Sequence, residues 1–177
     1  MRRSRTTTIL YAILGSGVAL AFFGHGVLGA KGSEKFVALV TGNYDTVLGG
    51  TMSTGTATSL VNVIGWFDIV LALVFAGLVI AAIYGKAIAY SPLATGLFVW
   101  AASWGFLTAL SRFTATLNGQ DIWDFVERGP NYMLPAALAY GVYKIRTTKP
   151  SETVPAPAFV ATNGKSETVP RKLAGTH

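Results

Sequence analysis

Three side chains able to carry charge stand within or at the edge of long apolar runs: His25, Asp68 and Arg112. Hydrocarbon is a costly place for such groups, so they face a bundle interior or a wet cavity and find partners there. Two kinds of role are open to them. They can bind the polar head of a ligand or pass protons, or they can lock helix packing through a His–Asp or Asp–Arg pair. Interhelical polar contacts in membranes are worth only ~0.6–2 kcal/mol, which suffices for the second role without any chemistry. Glu127, Arg128 and Asn131 enter the candidate set where a fourth apolar stretch begins. Trp100 and Trp104 lead to Arg112 through Thr108 in steps of four, one helical face. Those tryptophans suit the flank of a flat ring or lipid headgroup, or plain core packing. No residue is assigned a catalytic role.

The chain has no cysteine, which removes disulfides, thiolate metal sites, iron–sulfur ligation and dithiol chemistry together. Its two histidines are His25 and the terminal His177, so no intramembrane histidine pair exists to ligate a haem, and no metal site is expected. A redox cofactor, if one binds, is held without thiolates or axial histidine pairs.

The solvent for these groups follows from composition. Charged residues make up 12% of the 177 residues and apolar ones 51%, too little charge to cover a soluble domain of this size. Lipid is the expected surrounding. The net charge of +6 does not indicate nucleic acid, because the basic residues flank apolar runs instead of gathering on a soluble face with stacking aromatics.

The expected architecture is all-α: an integral membrane four-helix bundle with a disordered cytoplasmic C-terminal tail. Residues 1–8 form a basic N-terminus, 9–143 the transmembrane domain and 144–177 the tail. The spans are placed at about 9–30, 60–83, 93–111 and 125–143, each near the ~20 residues needed to cross ~30 Å of hydrocarbon. The first exceeds the roughly 7–15 residues of a signal-peptide core, so a span is expected there, although Leu28-Gly29-Ala30 offers a small-residue cleavage site. Residues 31–59 read as a loop, rich in Gly, Thr and Ser, with a short interfacial helix over Lys35–Val40. Ser91-Pro92 suits the start of the third helix, and Asn118-Gly119 a turn. The fourth span contains Pro135, which either kinks the helix or begins it anew. In the tail, Ser151-Glu152-Thr153-Val154-Pro155 recurs as Ser166-Glu167-Thr168-Val169-Pro170, a partner motif or a product of slippage.

Lysine and arginine bias orients the bundle. With four spans, ten basic residues share the side of the two termini and four lie opposite, accounting for all 14, and the positive-inside rule puts both ends in the cytoplasm. The expected location is the plasma membrane. His25 and Asp68 then lie roughly 8 and 12 Å below the outer surface at 1.5 Å per residue, with Arg112 at the outer end of span three. Gly17, Ala21, His25 and Gly29 share one helical stripe, as do Asp68, Ala72 and Ala76, small-residue faces that let helices approach closely.

The first span closes with Phe22-Phe23-Gly24-His25-Gly26, a polar patch leads into Lys35-Phe36-Val37-Ala38-Leu39-Val40-Thr41-Gly42, and the second span is entered through Gly65-Trp66-Phe67-Asp68. In these features, over residues 9–112, the chain resembles the DoxX-like family of small four-span membrane proteins. That family commonly shows a glycine-rich end to its first helix, a nearby lysine and an early acidic residue in the second helix, often glutamate; Asp68 departs from this. The resemblance implies quinone-dependent sulfur oxidation or assembly with soluble redox enzymes at the membrane. The segment Asp121 to Tyr132 has no counterpart in the family's pattern.

Three functions follow as expectations. The first is a non-enzymatic accessory or scaffold subunit of a membrane complex, with a quinone or lipid site in the outer half of the bundle and a tail free to bind a protein partner. The second is a quinone-linked oxidoreductase membrane subunit, in which Asp68 and His25 exchange protons with ring oxygens while a partner brings the electrons. The third is a small-solute or proton carrier, weakened because the four spans show no internal repeat.

Overall fold

The computed structural model describes residues 4–116 and 122–148, and every regular element among them is helical. The Asn118-Gly119 turn, Asp121, the duplicated pentapeptide and all but the first residues of the expected tail lie outside the described residues.

Helix α1 spans Arg5–Ala30, α2 Glu34–Leu48, α3 Thr54–Ile83, α4 Pro92–Thr116, the single turn α5 Trp123–Val126, and α6 Gly129–Thr147. A 3₁₀ turn, Ala87–Tyr90, joins α3 to α4. Serines start the long helices by accepting from otherwise unpaired first-turn amides: Ser4 from Thr7, Ser53 from Thr56 and Ser91 from Ala94, each at 3.1 Å. Glycines end α2 and the segments after α1 and α3: Gly49, Gly32 and Gly85 have φ between 64° and 66°, a left-handed conformation that a Cβ would strain.

Three helices, α1, α3 and α4, are long and apolar enough to cross a membrane. Their outward faces are as apolar as their inward ones: Leu20, Val63, Leu73 and Leu93 are each more than 60% exposed. Contiguous apolar surface on this scale requires a cover, and lipid supplies it. The fourth helix, α6, is 19 residues long, carries Asn131, Lys144 and Arg146, and does not belong to that apolar set.

Neighbouring helices run antiparallel. The C-terminal end of α1 meets the N-terminal end of α3, where a Cβ on Gly26 would stand 2.8 Å from the Gly65 carbonyl oxygen and one on Gly29 2.8 Å from the Gly65 Cα. Close approach therefore uses Gly26, Gly29 and Gly65. Of the anticipated small-residue faces, Gly29 stands in this contact, Ala72 is buried in the core, and Gly17 faces Leu134 of α6. Packing sets the rotation of each helix about its axis and brings Gly26 and Gly65, outside the expected stripes, into the contact beside Gly29.

Pro135 stands inside α6 and does not restart it. Its ring denies the Asn131 carbonyl the usual helical N–H. That carbonyl lies against Gly105 of α4, the place where a Cβ would collide with it. An aromatic stack fills the middle of the bundle: Phe22, Phe75 and Phe98 with ring centroids 5.2 and 5.4 Å apart, and Tyr11 on Phe98 at 5.9 Å. In lipid, where burial from water offers little between helices, such dispersion contacts carry the packing.

Two expectations about element boundaries need correcting. The 31–59 loop is mostly helical: α2 runs 15 residues and α3 begins at Thr54, leaving 49–53 as the connection. The polar residues join helices because their side chains bond back one turn, as in Thr58 to the Thr54 carbonyl (2.8 Å), Ser59 to Gly55 (3.0 Å) and Asn43 to Leu39 (2.8 Å). The fourth span begins later than 125, since the chain turns at Glu127 and Arg128 before α6 starts at Gly129.

Candidate functional site

Up-and-down alternation brings the C-terminal ends of α1 and α4 beside the N-terminal ends of α3 and α6, and α2 lies across that end of the bundle. The result is a cavity of about 270 Å³. Phe22, Val61, Ile64 and Leu134 give it apolar walls, while Phe36, Leu39 and Val40 of α2 close it on the side away from the aromatic stack.

Helix α2 is held in place from two directions. Val37 packs with Ala57 and Val61 of α3 in a small cluster of its own. Asn43 donates to the Ser111 carbonyl of α4 at 3.0 Å and accepts from the Thr114 hydroxyl. The Phe36 ring stacks on the His25 ring, centroids 6.2 Å apart, and the Arg112 guanidinium sits 5.7 Å from the Phe36 centroid.

Six of the eight residues singled out from sequence line this cavity: His25, Asp68, Trp104, Arg112, Arg128 and Asn131. Trp100 and Glu127 do not. Trp100 is 37% exposed and stacks on the outer side of Trp104, rings 5.8 Å apart and 12° from parallel, with Phe67 edge-on at 5.5 Å. Glu127 is exposed at the turn before α6.

His25 is fully committed. Its Nδ1 lies 2.8 Å from the Ala21 carbonyl and its Nε2 meets the Arg128 guanidinium. Arginine only donates, so Nε2 must accept and the ring proton sits on Nδ1, bonded to the carbonyl. This fixes one tautomer and one ring orientation, and it ties α1 to the start of α6.

Asp68 is the opposite case. The side chain is 7% exposed, and the Trp104 indole N–H, which can only donate, faces its carboxyl. Its Oδ1 has no hydrogen-bond partner among the described residues. Arg112, 4% exposed, brings a permanent positive charge to the same cavity. Asn62 also has a buried Oδ1 without a partner, but it is a half-buried neutral amide near Gly32 and outside the cavity.

Sequence reasoning placed Lys35–Val40 at an interface and missed that Phe36, Leu39 and Val40 cover the site. The i, i+3, i+4 spacing of Phe36, Leu39 and Val40 carried the signal, but only the partner surface shows what they cover. Gly65, Gly105 and Pro135 were also missed as lining residues. Among the described residues no group of three or more His, Cys, Asp or Glu could hold a metal. Comparison of the chain with protein-family models, with curated proteins and with solved structures gives no match.

Proposed function

We propose that this chain is a non-enzymatic accessory or scaffold subunit of a membrane complex, holding the head of a membrane-soluble ring compound of the quinone type in the cavity beneath α2. One observation carries the proposal: a buried carboxyl oxygen without a partner among the described residues lines an apolar cavity that also receives two arginines and a flat indole. Buried polar atoms are almost always paired, so an orphan facing a cavity calls for a ligand group. The volume of about 270 Å³, just below the ~300–1,000 Å³ of small-molecule sites, suits one ring with its substituents.

The topology belongs to this proposal. Helix α6 is 19 residues long, about 28 Å at 1.5 Å per residue, enough to act as a fourth crossing. The Lys144 ammonium lies 5.6 Å from the Tyr140 ring, as expected of a cation reaching for a membrane surface. Four crossings put both termini on the basic, cytoplasmic side of a plasma membrane and the cavity in the outer half of the bundle. The DoxX-like resemblance and the association of such subunits with redox partners are part of the same proposal.

Mass spectrometry of organic extracts from protein purified out of native membrane tests it. Retained quinone, reduced in Asp68→Asn, is the expected result, and co-purifying proteins identify the complex. Clean protein without quinone in either form overturns it. A phospholipid headgroup is the second reading, favoured by Arg112 and Arg128 on one cavity; the same extracts would then hold stoichiometric phospholipid.

A further inference from the structure

The Asp68 carboxyl constrains which oxidation state of a ring ligand fits, a step that rests on the proposed ring site. The Trp104 N–H already serves one side of the carboxyl, and Trp104 can only donate. Oδ1 is left to the ligand. A ligand hydroxyl satisfies that oxygen whichever state the carboxyl is in: it donates to a carboxylate and accepts from a carboxylic acid. A ring carbonyl only accepts, so it can take the proton of a carboxylic acid but sets lone pair against lone pair with a carboxylate, and the discrimination belongs to the carboxylate form. His25 cannot relieve this, because both its nitrogens are engaged by Ala21 and Arg128. The donors that a carbonyl could use, Arg112, Arg128 and Asn131, come from α4 and the start of α6; they suit a second ring oxygen and leave the Asp68 contact unanswered. Trp104, held flat by its near-parallel stack on Trp100, gives the ring a planar wall.

We propose that this cavity selects the hydroxyl-bearing, hydroquinone form of its ring ligand over the dicarbonyl form, with Asp68 Oδ1 as the specificity-determining acceptor. No electron or proton need be transferred for this selection; it is a difference in binding.

Anaerobic titration of the purified full chain with a short-chain hydroquinone, its quinone and its dimethyl ether, followed by tryptophan quenching, tests the proposal. The hydroquinone should bind about tenfold tighter than the quinone, the scale of one hydrogen bond to a charged group. The dimethyl ether keeps both oxygens and loses both donors, so it should bind no better than the quinone. Asp68→Asn, whose amide offers both a donor and an acceptor, should bring hydroquinone and quinone within about threefold of each other. Equal affinity of the first two ligands, or an ether that binds as well as the hydroquinone, overturns the selection while leaving a ring site standing. An unchanged ratio in Asp68→Asn overturns the role of Asp68. Binding of none of the three overturns the proposed function itself. Displacement of the hydroquinone by an equimolar short-chain phosphatidylethanolamine makes a lipid ammonium the donor and overturns the ring ligand. The ether comparison needs no variant, so it holds even if Asp68→Asn fails to fold.

Discussion

Gly65→Ala is the sharpest test of how α1 and α3 fit together. A Cβ at this position would stand 2.7 Å from the Gly26 carbonyl oxygen and closer still to the backbone of Gly29 and Ala30. Ordinary contact begins at 3.4 Å, so the shortfall is at least about 0.7 Å, and the obstacles are backbone atoms that no rotamer change can move. The helices must part along the seam where they are closest. Overpacking of this kind costs ~1–3 kcal/mol, against which alanine recovers ~0.5–1 kcal/mol of helix propensity. A net loss of about 1–2 kcal/mol is expected. Gly77→Ala, on the same helix with nothing within 4 Å of its Cβ position, supplies the propensity gain alone and should leave the protein as stable or slightly more so. Equilibrium unfolding of both variants in mixed micelles, followed by tryptophan fluorescence, gives the comparison. If Gly65→Ala is as stable as Gly77→Ala, the glycine seam does not hold α1 to α3 and the packing described above is wrong.

Other substitutions probe the cover and the topology. Phe36→Ala removes the ring shared by His25 and Arg112, and should increase ligand release several-fold while circular dichroism stays unchanged; undiminished retention would show that α2 does not close the cavity. A double-mutant cycle of Asn43→Ala with Thr114→Val should give a coupling of about 0.5–1.5 kcal/mol in unfolding, and additive losses would mean that the two side chains do not clasp α2 to α4. Because the chain has no cysteine, single cysteines report topology unambiguously. Those replacing Ser4, Lys86 and Thr148 should react with an impermeant thiol reagent from the cytoplasmic side, and one replacing Thr51 from the outside. Opposite labelling at Lys86 and Thr148 would show that α6 does not cross.

The long helices were legible because length and continuous apolarity are local properties. Boundaries were less so: Thr54 to Ser59 carry no apolar periodicity, yet they are helical because Ser53 caps the first turn and the hydroxyls return to helix carbonyls. The membership of the site was legible to the extent that ionisable groups in apolar runs are costly, which picked out His25, Asp68 and Arg112 without any coordinates. Their roles were not. His25 and Asp68 looked equally suited to exchange protons, and what separates them is Arg128, 103 positions along the chain from His25. The meshing of Gly26 and Gly29 with Gly65 was hidden for a related reason, since residue spacing gives the period of a helix but not which of its faces meets a neighbour.

A packing role for Asp68 would ask for little. Trp104 needs one acceptor, and asparagine supplies one at nearly the same size. If locking α3 to α4 were the whole purpose, Asp68→Asn would preserve stability to within about 1 kcal/mol and leave every ligand measurement untouched. What the carboxyl adds over the amide is its second oxygen, and that oxygen has no partner among the described residues. An orphaned buried acceptor costs ~1–3 kcal/mol, a sum comparable to the whole return from an interhelical polar contact. Stability therefore gives no reason for the second oxygen, and a ligand does. Unfolding and binding measured on the same Asp68→Asn protein separate the two explanations: unchanged stability with altered binding assigns the oxygen to the ligand, whereas unchanged stability with unchanged binding returns Asp68 to the packing of the bundle.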